Sequence, residues 1–120
     1  MKVVISAQED RLEALVDPRF ARAPWLVEID TQTGEWRAHD NSANRDIDGG
    51  AGVAAAHTLV ELRAEALVTG NVGPKAFKTL AAGGTRVYLV GVCTVRDALD
   101  RLVAGNLTAS ESESVAGHWT

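Results

Sequence analysis

Short β-branched runs alternate along the chain with stretches in which apolar residues recur at helical spacing. Lys2 to Ser6 reads as a buried strand, and a polar loop follows over residues 7–23. Pro24 to Asp30 and Glu35 to His39, joined through Thr33-Gly34, form a predicted hairpin. A long polar loop, Asp40 to Gly50, precedes a helix from Ala51 to Ala64. Val53, Ala56, Leu59, Val60 and Leu62 share one side of that helix, with His57 and Glu61 on the other. Ala66 to Thr69 is a fourth strand, followed by a glycine turn and a short helix to Ala81. Gly83-Gly84 stops it, and Arg86 to Val90 is a fifth strand. Thr94 and Asp97 have capping-box spacing, and Val95, Ala98, Leu99, Leu102 and Val103 give a last helix ending at Gly105-Asn106. Residues 107–120 are rich in Ser and Glu and are expected to be a mobile tail beyond a single domain over residues 1–106.

A hairpin followed by βα units implies an α/β fold: a five-stranded mixed sheet with three helices on its faces. With right-handed crossovers the strand order is 3-2-1-4-5, the ribonuclease-H-like three-layer arrangement. The first strand is then the switch point, outside whose carboxyl end ligands gather. Strands one, three, four and five end at that edge. The loops beginning at Ser6, His39, Gly70 and Gly91 therefore converge on one rim.

The turn Thr69-Gly70-Asn71-Val72-Gly73-Pro74 is the most distinctive of these loops. Its glycines permit close backbone approach, and Pro74 suits a first helical position. Such a turn either exposes N–H groups to an anion or is simply a tight connection that needs glycine.

Composition narrows the partners. With 120 residues, 46% hydrophobic and 23% charged, the chain has room for one core. No apolar run approaches the ~20 residues of a membrane span, and Val3-Val4-Ile5 reads as a strand rather than a signal peptide. A net charge of −4 argues against nucleic acid. A single cysteine excludes an internal disulfide and suits the cytoplasm.

Four motifs in order carry a family likeness: Asp17 to Pro24, Asn41-Ser42-Ala43-Asn44 with Gly49-Gly50-Ala51-Gly52, the TGNVGP turn, and Thr94 to Leu99. In these the chain resembles the dinitrogenase iron–molybdenum cofactor biosynthesis family. It departs from the family pattern in carrying Ala21 where glycine is usual, and His57 after GGAG. The resemblance implies the fold above and non-catalytic carriage of an iron–sulfur or molybdenum-containing cluster or its precursor. Its implied partners are metallocofactor assembly or acceptor proteins, met as a monomer or a homodimer.

Several residues then become candidates. Cys93 precedes a helix start, where dipole and N–H groups favour a thiolate ligand; alternatively it is a small buried residue after a strand. His39 is either an imidazole ligand at the rim or a solvated strand end, and His57 either a ligand or an exposed partner of Glu61. His118 belongs to the tail, as a ligand folded over the rim or as part of a free end. Arg19, Arg22, Arg45 and Lys75 can balance an anion or pin loops locally. Gly70, Asn71, Gly73, Asn44 and Thr94 offer donors at the same edge, or serve the turns themselves.

Three function classes remain. The leading one is a cluster carrier using Cys93 with His39 or His57 as metal ligands and Arg19, Gly70, Asn71, Gly73 and Thr94 around the cargo. The second is a metal-free interaction module. The third is an enzyme acting through Cys93 on a small anion. Strand one lacks the carboxylates of a two-metal nuclease, and neither a P-loop nor a Ser-His-Asp pattern is present.

Overall fold

The central strand, β1 (Lys2–Ala7), is buried from Val3 onward, as its uninterrupted β-branched run requires. In the computed structural model, which describes residues 1–111, β1 pairs antiparallel with β2 (Trp25–Asp30), and β2 with β3 (Trp36–Asp40). On its other side it pairs parallel with β4 (Ala66–Thr69), and β4 with β5 (Arg86–Leu89). The sheet order is therefore β3-β2-β1-β4-β5, as the element order implied.

Strand register divides the core into two layers. Val4, Leu26, Leu67 and Val87 face α2 (Ala51–Glu61) and α3 (Pro74–Ala82), where Ala55, Leu59 and Leu80 cover them. Val3, Ile5, Val27, Ile29 and Val68 face α4 (Val95–Val103), which contributes Val95, Ala98 and Leu102. Thr94 caps α4 as its spacing predicted, accepting from the Asp97 N–H at 3.1 Å.

Among the described residues there are four helices where three were expected. The extra one, α1 (Ser42–Arg45), lies inside the predicted polar loop, and a single 3-10 turn spans Phe20–Arg22. Local polar bonds build α1: Asp40 accepts from the Ser42 N–H at 2.8 Å, and Asn41 Oδ1 from Asn44 Nδ2 at 2.9 Å. Helix α2 also stops earlier than expected. Arg63 takes the left-handed conformation at φ 59°, with Arg63 N–H bonding Val60 O and Ala64 N–H bonding Leu59 O, a Schellman end normally given to glycine. Gly84 and Gly105 end α3 and α4 in that way. Past α4, Leu107 packs on the core and Ala109 bridges Tyr88, so the first residues of the expected tail lie along β5. The rest of that tail, His118 included, is outside the described residues.

Candidate functional site

The loop after β1 and the loop after β4 are locked together at the switch point. Ser6 Oγ donates to Asp17 O at 2.7 Å and lies 2.7 Å from Thr69 Oγ1. Asn71 Nδ2 donates to Pro18 O at 3.2 Å, and Phe20 N–H to Asn71 O at 3.3 Å. Arg19 bridges Asn71 through its backbone, while its exposed guanidinium lies 3.8 Å from the buried Asp17 carboxylate. Gly70 has no room for a side chain, because a Cβ there would fall 2.6 Å from Pro18 Cα. These contacts account for Gly70 and Asn71 as parts of the fold.

Gly73 is different. It is exposed, its φ of −72° suits any residue, and a Cβ at this position would meet nothing within 4 Å. It lines a cleft of about 290 Å³ with Gly49, Gly50, Gly52, Arg22 and Lys75. Two helices begin there. Their N-caps are Gly50 and Gly73, and neither carries a side-chain capping bond. The first intrahelical bonds run from Ala54 and Phe77, so the N–H groups of Ala51, Gly52, Val53, Lys75 and Ala76 have no partner within their helices. The helices approach closely because position 52 is glycine: a Cβ there would stand 3.3 Å from Ala76 Cβ and 3.6 Å from Ala21 Cβ. The lining holds two cations and no carboxylate. Both helix dipoles point their positive ends into it. Arg22 is steadied by donating to the Arg45 carbonyl of α1.

The other sequence candidates do not gather at this cleft. Cys93 lies in the α4 layer, only 7% exposed, and its carbonyl accepts from the Val16 N–H at 2.9 Å. Burial pushes its thiol up, Arg101 opposing and Asp97 reinforcing the shift. Desolvation thus acts on this thiol in the direction opposite to the one expected of a helix start. His39, half-buried on β3, is 2.7 Å from Glu28 Oε1, whose other oxygen is 3.2 Å from Lys2 Nζ. Burial raises the Glu28 carboxyl, but hydrogen bonds from His39 and Lys2 outweigh it and hold the group below its ordinary value. His39 stands opposite Leu26, whose side chain is in the α2 and α3 layer, whereas Cys93 is in the α4 layer, so the two side chains lie on opposite faces of the sheet and do not share one metal ion. His57 is exposed on α2, and Thr94 is occupied in capping α4. Among the described residues no three His, Cys, Asp or Glu side chains are placed to hold a metal.

Residues 1–105 match the model of the family described as dinitrogenase iron–molybdenum cofactor. The chain belongs to that family. It is similar to the apo orange protein of Desulfovibrio gigas, at 38% identity over 95% of this chain and 96% of that one, with a TM-score of 0.90. A provisionally named NifB protein from Thermotoga is 33% identical, covering 97% and 98% of the two chains, with a TM-score of 0.83. An uncharacterised protein of Methanocaldococcus jannaschii is 23% identical over 92% of each chain. The description of the family names the iron–molybdenum cofactor, and the orange protein was solved in an apo form.

The amides of Ala51 to Val53 are the part of the site that sequence reasoning missed. A signal was present: the Gly49-Gly50 pair opens a helix with no Ser, Thr, Asp or Asn at its N-cap. Nothing in the described residues is long and apolar enough to form a membrane-spanning helix.

Proposed function

We propose that this chain is a carrier, in cofactor assembly or storage, for an iron–sulfur or molybdenum-containing cluster or its precursor. The observation that carries the proposal is the meeting of two uncapped helix N-termini at the cleft holding Arg22, Lys75 and the unobstructed Gly73. A bare metal ion would find no side-chain ligand set there. An anionic cluster bringing its own sulfide or oxo ligands would find N–H donors and two balancing cations. The chemistry of the donor set thus fits cargo that arrives preformed.

The family and the orange protein, solved in an apo form, support the same reading. We read the sheet order as the ribonuclease-H-like arrangement, with the site at its switch point. Arg19, Asn71 and Gly70 act by holding the rim. Cys93 would become a ligand only where cargo displaced the apolar contacts around it, and the same holds for His39 and its bond to Glu28. Partners would be the proteins that load or accept the cluster in the cytoplasm.

Anaerobic reconstitution with iron, sulfide and molybdate tests this. The expected result is bound metal with visible charge-transfer bands, lost in an Arg22→Ala/Lys75→Ala double variant and retained in Cys93→Ala. Bands that depend on Cys93 would move the site to the thiol. Failure to take up metal under any such condition would end the carrier reading.

A second reading, a metal-free interaction module, rests on the apolar surface of the same rim. Val92 is 92% exposed and Leu15 44%, beside a cleft of about 290 Å³ that includes Pro18 and Val90. A partner captured from the native host without metal, and lost in Val92→Asp, would favour it.

A further inference from the structure

Helix α4 carries two stripes. Val95, Ala98 and Leu102 are buried against the sheet, whereas Arg96, Leu99, Asp100 and Val103 recur at i, i+3, i+4 and i+7 on its flank. That flank is one wall of a groove of about 350 Å³, whose other wall combines Leu12 and the buried Ile29 with Asp30 and Thr31. Val103 is 63% exposed and Leu99 half-buried, so the flank presents two apolar side chains to solvent. Its charges lie on the same strip. Arg96 reaches away to Glu13 at 2.9 Å, with both side chains more than half exposed. Among the described residues no cation pairs with the Asp100 carboxylate.

The order along the strip, cation, apolar, anion, apolar, is self-complementary. A second copy of α4 laid antiparallel about a two-fold axis near Leu99 brings each Arg96, exchanging its exposed bond to Glu13, within reach of the other copy's Asp100. It also sets Leu99 against Leu99 and each Val103 toward the partner's groove, and both halves of the contact form at once. The two helix dipoles then oppose one another, which adds to the fit.

We propose that this groove is the contact face of a homodimer built on antiparallel α4 pairing. The interface centres on a helix of 9 residues, so it lies at the small end of specific interfaces and the dimer is weak and concentration-dependent. It is independent of the cargo cleft, which lies on the α2 and α3 layer.

Sedimentation equilibrium of the full chain, from about 10 μM to about 1 mM, tests the proposal. The wild type is expected to approach twice the monomer mass at the upper end. Val103→Glu, and Val103→Ser as a milder change, should remain monomeric there while keeping the wild-type circular dichroism. Arg96→Asp and Asp100→Arg should each weaken dimerisation at least about tenfold, and the double reversal should recover most of it. A wild type that stays monomeric overturns the proposal. So does a dimer insensitive to Val103→Glu, or a double reversal no better than the single changes.

Discussion

A side chain on Gly70 would collide with the backbone of Pro18, its Cβ falling 2.6 Å from Pro18 Cα and 2.8 Å from Pro18 O. The loop that leaves β1 therefore crosses directly over the turn that leaves β4. Gly70→Ala forces one of these backbones to move and is expected to destabilise the fold by about 1–3 kcal/mol, read as a lower urea midpoint. The bridge between Arg19 and Asn71 should loosen with it.

Gly73, three residues on, predicts the opposite pattern. Its N-cap position accepts a side chain without a clash. Gly73→Ser supplies a hydroxyl that caps α3 and should raise stability by a few tenths of a kcal/mol. The same hydroxyl would occupy N–H groups that the proposed cargo needs, so metal uptake on anaerobic reconstitution should fall. A variant that is stable and loads normally would show that these amides do not hold the cargo.

Much of this architecture was legible because it depends on period and punctuation. The β-branched run at Val3 to Ile5, the glycine stops at Gly83-Gly84 and Gly105, and the Thr94–Asp97 cap led to the strand order and to three of the four helices among the described residues. Helix α1 escaped because its four residues are held by Asp40 and Asn41 side chains and carry no apolar stripe. The end of α2 escaped because Arg63 occupies a position where glycine is the usual signal. The candidate ligands dispersed for a different reason. Chain order placed His39 and Cys93 on one rim, but His39 stands opposite Leu26 on the α2 and α3 face of the sheet, and Cys93 lies in the α4 layer on the other face.

The buried thiol of Cys93 makes its own prediction. Because burial raises its pKa, the native protein should react with iodoacetamide more slowly at pH 8 than the urea-unfolded chain. The linkage sign follows. The unfolded chain loses its thiol proton first, so the contribution is intact below the ordinary thiol range and declines as pH rises through it, from about 8.5 upward. Cys93→Ala should flatten that alkaline decline.

Arg63 stores conformational energy that glycine would release. A non-glycine residue in the left-handed region costs about 1 kcal/mol, and Arg63 has φ 59° while its side chain is exposed. Arg63→Gly should therefore raise stability by a few tenths of a kcal/mol in chemical denaturation, after the added freedom of the unfolded chain is subtracted. Arg63→Asn should gain part of this, since asparagine tolerates the same region.

Glu28 ties the start of β1 to the outer strand of the hairpin, taking Lys2 on one oxygen and His39 on the other. Its carboxyl is held below the ordinary value by those hydrogen bonds, against the opposing effect of burial. A depressed carboxyl contributes stability that is complete above its unfolded pKa and is lost as pH falls through the lower folded value. The loss is expected from about pH 4.5 downward. Glu28→Gln keeps the shape but removes the titration, so its stability should be lower than wild type at pH 7 and the two should converge toward pH 3. Parallel urea titrations at the two pH values measure the difference. Equal pH slopes would show that the Lys2–Glu28–His39 cluster is not what couples this edge of the sheet to acid.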